Sequence, residues 1–305
     1  MKLSTATVSF AVTTPACPAR GLHFDYRAVV GAAVLALGSV SCGGGMPLLH
    51  PAQVLPSGVT SLSAGMGSNW VGGEANREVD KARAATAAGL PATALTAAPA
   101  VAASLWSPGL FPWVSMRLGL GSESETGATY TGHRARIDAR HAMIFGRWAL
   151  SVGLGAGLGL AHPSSGETSS TSTFGASEPI IGLDTSKTRS FAFDAPVILG
   201  WRSSADIARV WFGLRPSYEH AYGTLSFAST STTSEVDFNA NAMTLGGLVG
   251  LAMGLRPLFV AMELSVGESR AHGSMSGSPG GVVGGSASLS AISLTPAAAI
   301  IWEIR

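Results

Sequence analysis

Charge and cysteine are both scarce in this sequence. Charged residues make up 12% of the 305 residues, roughly half the share found in an average soluble domain. Only two lysines, Lys81 and Lys187, follow residue 42, and the two cysteines are Cys17 and Cys42. The chain beyond residue 42 therefore has no disulfide framework, no cysteine-ligated zinc site and no cysteine nucleophile.

The sequence also lacks a strong net charge and a long apolar run. The net charge of +1 gives no electrostatic reason to expect a nucleic-acid partner. We find no phosphate-binding loop, dinucleotide fingerprint or metal-ligand spacing, so no cofactor is expected. The low charge and the mean hydropathy of +0.33 indicate either a membrane-embedded protein or an unusually bland secreted domain. The best helical candidate, residues 242–255, is too short to span a bilayer, which favours a closed β-barrel.

The N-terminal region predicts export. The stretch "RAVVGAAVLALGSVSCGGG" from Arg27 has a basic flank, fourteen uncharged residues and small residues before Cys42, as secretory signal peptides do. A cysteine at this place resembles a bacterial lipoprotein signal, which implies lipidation of Cys42; an ordinary signal cleaved near Ser41 is the alternative. We divide the chain into a cleaved leader and signal peptide (1–42), a periplasmic linker (43–56) and a barrel (57–305).

Apolar residues recur at every second position through most of the chain. In "WALSVGLGAGLGLA" from Trp148, one face carries large apolar residues and the other carries mostly glycine and alanine. A period of two predicts strands, and apolar-out with polar-or-small-in predicts a transmembrane antiparallel up-and-down barrel. We predict about ten strands, with eight or twelve as alternatives, near 57–69, 111–120, 124–131, 133–144, 147–161, 187–201, 206–219, 239–255, 257–269 and 287–304.

The connections and the aromatic residues give the barrel an orientation. Connections after the second, fourth, sixth and eighth strands are short, whereas most of the others are long and rich in Ser, Gly and Thr. Short periplasmic turns opposite longer loops are typical of outer-membrane barrels. Trp148, Trp201 and Trp302 should face outward at the turn end, and Tyr130 and Tyr218 outward at the loop end, as two interfacial girdles.

Two stretches resemble known proteins. "LHPAQVLPSGVTSLSAGMG" from Leu49 and "PWVSMRLGL" from Pro112 are similar to strands of outer-membrane β-barrel proteins of Gram-negative bacteria. The resemblance covers residues 49–305 and is one of pattern. It implies a barrel fold, location in the bacterial outer membrane and outer-membrane lipid as a partner; it names no protein partner.

The same parity places many charges inside the barrel. In a narrow barrel these opposite charges would form salt bridges that close the lumen. The alternative is a charged, porin-like pore for a small polar solute. Arg140→Leu is expected to leave a carboxylate unpaired in the closed form. The predicted lumen charges are Arg117, Arg134, Arg136, Asp138, Arg140, Asp194, Arg209, Arg215, Glu219, Glu263 and Glu303.

Catalytic residues are harder to find in this pattern. A hydrolase that modifies lipids on the barrel wall would need a serine activated by a histidine. The sets to consider are Ser217, Glu219 and His220, and Glu268, Ser269, His272 and Ser274. In the first set the histidine faces outward and the other two inward, and His141 stands alone on its outward face. We therefore expect no enzyme and keep two alternatives: a barrel-walled lipid-modifying hydrolase and a secreted soluble β-barrel that binds a ligand.

The first long loop departs from the alternation. Residues 74–88 predict a short helix that ends at Gly89, with Pro91 beyond it. This loop should fold over the extracellular mouth or enter the lumen, unless part of 92–107 adds a hairpin and raises the strand number to twelve. The loops 162–186 and 221–237 are expected to be mobile.

Overall fold

The computed structural model describes residues 47–90, 97–106, 108–132, 134–160, 180, 183–228, 233–277 and 285–305. They form two helices, α1 (Glu74–Ala87) and α2 (Ala97–Leu105), and a set of antiparallel strands. The strands are β1 (Thr60–Gly72), β2 (Gly109–Gly121), β3 (Ser124–Tyr130), β4 (Arg134–Phe145), β5 (Trp148–Gly159), β6 (Leu183–Asp184), β7 (Thr188–Asp194), β8 (Val197–Arg202), β9 (Ala208–Ala228), β10 (Thr233–Leu255), β11 (Leu258–Gly277) and β12 (Gly285–Ile304).

The strands close into a ten-stranded barrel, as the alternation predicts. Each wall strand pairs with its neighbour, and β12 pairs with β1 from Thr60↔Ile304 to Gly72↔Ile292. β7 and β8 both lie between β5 and β9 and count as one crossing, because only Ala195 and Pro196 separate them. Proline has no N–H for the ladder, which accounts for the interruption. β6 is a two-residue addition to the loop end of β9.

The turns and loops follow the predicted layout. At one end, which we call the turn end, the connections are 122–123, 146–147, 203–207 and 256–257, and β1 begins and β12 finishes there. Ser122 and Glu123 have φ values of 48° and 55°, the left-handed conformation that tight hairpin turns require. The opposite, loop end carries the helices and the remaining connections.

The outer wall between the two ends is apolar. Along β10 the outward side chains Met243, Leu245, Val249 and Met253 are each more than half exposed. Such a continuous apolar face is stable only against lipid, so the barrel spans a membrane. The alternative of a secreted soluble barrel is therefore wrong. Trp148 points outward at the turn end, as expected for an interfacial girdle.

At the loop end, beyond the lipid-facing band, the alternation of apolar and polar side chains is reversed. At the loop ends of β9 and β10 the inward residues Leu225, Phe227 and Phe238 are buried and apolar, whereas the outward Glu235 and Asp237 are exposed. These strands extend past the predicted ends at 219 and 239, so most of the predicted mobile loop 221–237 is strand. Above the membrane both faces reverse because water is outside and a packed core is inside.

The two helices supply that core. α2 buries Val101, Ala102 and Leu105 against β10, β11 and β12 inside the loop end of the barrel. The predicted hairpin in 92–107, and with it the twelve-strand alternative, is therefore wrong. α1 matches the predicted helix and ends before Gly89, whose φ of +87° favours glycine. None of the helices that the structure describes is long and apolar enough to cross a membrane.

Candidate functional site

The lumen brings together the charges that parity assigned to it. All of the predicted lumen charges lie on the inner face: Arg215 and Glu219 are half-buried, and the other nine are buried. The lipidation candidate Cys42 lies outside the described residues, so its lipidation stays a prediction. His133, beside the first lumen arginine of β4, also lies outside them.

Seven charged side chains of the inner face form one continuous network. Arg140 Nε lies 2.8 Å from Glu125 Oε1, and the same carboxylate oxygen accepts a hydrogen bond from Arg117 Nε. Arg117 continues the network to Asp138 at 2.7 Å. From there it runs through Arg136, at 3.0 Å from Asp138 and 2.7 Å from Asp194, to Arg215, at 2.8 Å from Asp194. We call these seven residues the ion-pair network; it contains four arginines and three carboxylates.

Glu125 is the member of the network that the sequence reasoning missed. Its side chain has no exposure and lies on β3 with the inward residues Gly127 and Thr129. The signal was present in the sequence, because Glu125 alternates with the outward Ala128 and Tyr130 in the predicted strand 124–131. Parity along β3 could have identified it.

Glycines on β5 make room for the network. A Cβ built on Gly155 would lie 2.4 Å from Arg136 Nη2 and 2.6 Å from its Nε, whereas one on Gly157 meets nothing closer than 3.4 Å. The Arg136 guanidinium therefore lies against bare backbone at Gly155. This packing of an arginine from β4 explains why β5 has a glycine at position 155.

Two further clusters of charged side chains lie outside the network. Arg134 Nη2 contacts Glu219 Oε1 at 2.5 Å, nearer the loop end. At the turn end Arg209 contacts Glu303 at 2.6 Å and Asp206 at 2.9 Å. Burial opposes ionisation of Asp206, but hydrogen bonds and charge from Arg209 and Arg256 outweigh it and lower the pKa of this turn carboxyl.

The start of the described chain fills the turn-end half of the lumen. Residues 47–56, which we call the N-terminal segment, were predicted as part of a periplasmic linker (43–56), but residues 47–53 are buried within the barrel. Leu48, Leu49 and Ala52 pack with the buried rings of Trp113 and Trp211. The apolar residues of the segment find no comparable burial in the periplasm, which explains why they enter the barrel.

Main-chain hydrogen bonds hold the N-terminal segment in place. The backbone N–H groups of Leu48 and Leu49 donate to the two oxygens of Glu263 at 2.8 and 2.9 Å. Leu49 has a φ of 51°, which aligns these successive donors. Glu263 also accepts hydrogen bonds from Trp211 Nε1 at 3.0 Å and from Ser265 Oγ at 3.3 Å. The segment thus helps to satisfy the hydrogen-bonding capacity of a buried carboxylate.

The wall also binds the far end of the segment. Arg140 donates to the backbone carbonyls of Pro51 and Gln53, the second at 3.1 Å. Glu125 accepts the backbone N–H of Leu55 at 2.8 Å. Two residues of the ion-pair network therefore bind the N-terminal segment directly.

Two cavities lie in the described lumen. A cavity of about 60 Å³ lies beside the N-terminal segment, lined in part by Arg202 and Arg256. A second cavity of about 140 Å³ lies between the ion-pair network and α2. The N-terminal segment, the ion-pair network and α2 lie at successive levels of the lumen, with the second cavity between the network and α2.

The candidate catalytic groups are not brought together. Ser217 and Glu219 line the second cavity, whereas His220 faces outward, with Nδ1 2.7 Å from Asn241 Oδ1. In the other set His272 is exposed and Ser269 is buried inside the barrel against Thr244. Among the described residues no group of three His, Cys, Asp or Glu side chains could hold a metal ion. The absence of catalysis stays a prediction.

His141 does have a partner, contrary to the sequence reasoning. Its Nδ1 lies 3.0 Å from Ser124 Oγ on the outer wall, across the β3–β4 pair. The Ser124 hydroxyl also lies 3.2 Å from the Ser122 carbonyl, so its single proton has two acceptors within reach.

The features of the barrel wall identify the membrane that the protein spans. The wall is closed, antiparallel and even-stranded, with short turns at one end and an apolar lipid-facing band, and bacterial single-chain barrels share these features. The protein is located in a bacterial outer membrane.

Several solved structures are similar to this outer-membrane barrel over most of its length. The outer membrane protease OmpT from Escherichia coli is 6% identical, with a TM-score of 0.43 over 83% of this chain and 100% of that one. A major outer membrane protein from Thermus thermophilus is 11% identical, with a TM-score of 0.35 over 80% and 99%. OprG from Pseudomonas aeruginosa is 8% identical, with a TM-score of 0.35 over 82% and 97%.

Comparison of the sequence with protein families and with curated proteins gave no match. At the identities and TM-scores given above, no activity or ligand is carried over from the three structures to this barrel.

Proposed function

We propose that this protein is a structural barrel of the outer membrane that does not conduct in its resting state. The observation that carries this proposal is that the lumen is filled by the chain itself at three levels. The N-terminal segment occupies the turn end, the ion-pair network crosses the middle, and α2 occupies the loop end. The wall then serves to anchor the folded loop end, with its two helices, at the cell surface.

Proteoliposome swelling tests this proposal. Liposomes that contain the full chain should swell in an arabinose or glycine gradient no faster than liposomes without protein, because the chain itself occupies the lumen at all three levels. A heat-unfolded sample reconstituted in parallel serves as the control for lipid defects. Swelling that requires the folded full chain would overturn the proposal.

Passage of a small polar solute is the second candidate function. It is favoured by the way the N-terminal segment is held, through hydrogen bonds from its main chain to Glu263, Arg140 and Glu125 and no covalent link within the described residues. A segment held in this way could leave the lumen. Swelling by a variant that lacks residues 47–55, with none by the full chain, would favour this candidate over the structural role.

A further inference from the structure

The second cavity, between the ion-pair network and α2, is built from two unlike walls; we call it the chamber. One wall is formed by β4, β7 and β9 and carries guanidinium and carboxylate groups. The other is formed by β10, β11, β12 and β1 and carries hydroxyl groups. Leu105 and Trp106 at the end of α2 close it toward the loop end.

The first wall has more positive than negative groups. Arg134, Arg136 and Arg215 line the chamber, together with the carboxylates Asp194 and Glu219. Arg134 uses Nη2 for Glu219, and its Nε is buried with no hydrogen-bond acceptor among the described residues. A buried donor without an acceptor is costly, so an anionic oxygen in the chamber would relieve that cost.

The second wall offers both donors and acceptors. Thr244 Oγ1 and Ser269 Oγ lie 2.7 Å apart, and Thr295 Oγ1 donates to Asn69 Oδ1 at 3.1 Å. Ser293 also lines this wall. Each hydroxyl can both donate and accept, so the wall suits a solute that carries hydroxyl groups of its own.

The volume limits the size of the solute. A cavity of about 150 Å³ in another protein holds one benzene molecule, which has six non-hydrogen atoms. The chamber, at about 140 Å³, is therefore matched to a solute of roughly six or seven non-hydrogen atoms.

We propose that the chamber binds a small hydroxycarboxylate, with its carboxylate on the arginine wall and its hydroxyls on the serine and threonine wall. This site is separate from the structural role, because a chamber that binds solute can lie in a barrel that conducts nothing. The two proposals fail independently: swelling tests the path across the barrel, whereas binding tests the chamber alone.

Equilibrium dialysis with radiolabelled glycerate tests the site. The full chain is refolded into neutral detergent in the presence of the probe, so that the closed ends of the lumen do not keep it out. We expect saturable binding of one glycerate per chain. Unlabelled glycerol, which lacks the carboxylate, and propionate, which lacks the hydroxyls, should each compete at least about tenfold more weakly, because each loses hydrogen bonds that glycerate makes.

Matched serine variants assign the binding to the chamber. Ser293→Ala should weaken glycerate binding about 2- to 12-fold, the loss of one hydrogen bond. Ser61→Ala, which removes an inward hydroxyl at the turn end, should leave binding unchanged. Arg134→Gln should weaken it at least about tenfold; if that variant does not fold, the serine pair decides. No saturable binding, or equal loss in the two serine variants, would overturn the proposal.

Discussion

Glu125→Gln should lower the free energy of unfolding by about 3–5 kcal/mol. The substitution keeps the shape of the side chain but removes the charge that lies between Arg117 and Arg140 and accepts the Leu55 N–H. The ion-pair network would then hold four arginines against two carboxylates inside the barrel. Urea unfolding of the refolded barrel in detergent measures the loss.

An exposed carboxylate provides the matched control. Glu235 pairs with Lys187 at 2.5 Å, but both side chains are more than half exposed. Glu235→Gln should therefore cost only a small part of the loss expected for Glu125→Gln, because solvent screens an exposed pair. Equal losses for Glu125→Gln and Glu235→Gln would show that the lumen pairs are as well hydrated as a surface pair, contrary to the closed lumen.

The network also corrects the expectation for Arg140→Leu. Parity alone suggested that this change leaves a carboxylate unpaired. In the structure Glu125 keeps Arg117 and the Leu55 N–H, and the network becomes balanced at three arginines and three carboxylates. The Arg140→Leu variant should therefore lose less stability than Glu125→Gln.

Gly155→Ala should destabilise the barrel by about 1–3 kcal/mol, the usual cost of overpacking, and more if Arg136 is forced away from Asp194. The added methyl would lie 2.4 Å from the Arg136 guanidinium, which ion pairs hold on two sides. Thermal unfolding in detergent, followed by circular dichroism, measures the effect.

Gly157→Ala is the control on the same face of the same strand. Its methyl would lie 3.4 Å from the nearest atom, the carbonyl oxygen of Ala135. This substitution should be neutral or stabilise by up to about 1 kcal/mol, because alanine reduces the freedom of the unfolded chain. If both variants melt alike, the arginine is not packed on the β5 backbone as described.

Local features of the sequence predict the wall of this barrel well. The two-residue period is set within each strand, so it places the strands, the lipid-facing side chains and the inward charges without knowledge of distant residues. The period does not determine which inward side chains contact each other. That Arg136 reaches Asp194 across β5 depends on how β4, β5 and β7 align, which is a property of the closed sheet.

The contents of the lumen could not be predicted in the same way. The N-terminal segment enters the barrel because Glu263, more than two hundred residues later, accepts its N–H groups. α2 is an alanine-rich stretch with Pro99 in its first turn, and its burial depends on an apolar interior that appears only where the alternation inverts. The sequence does place the apolar residues Leu225 and Phe238 at inward positions of β9 and β10. The apolar-out alternation of membrane strands, however, predicts the residues around them as loops.

A disulfide between the N-terminal segment and the wall tests the closed lumen most directly. A Cβ on Gly200 would lie 2.8 Å from the Cβ of Ala52, within about 1 Å of the separation in a disulfide. With Cys17 and Cys42 changed to serine, Ala52→Cys combined with Gly200→Cys should oxidise to a bridge that alters migration in a non-reducing gel. Ala52→Cys combined with Leu199→Cys, whose second side chain faces away from the lumen, should stay reduced. If instead neither pair is bridged and both thiols of the Gly200→Cys pair react with maleimide in the folded barrel, the N-terminal segment does not fill the lumen and the account is contradicted.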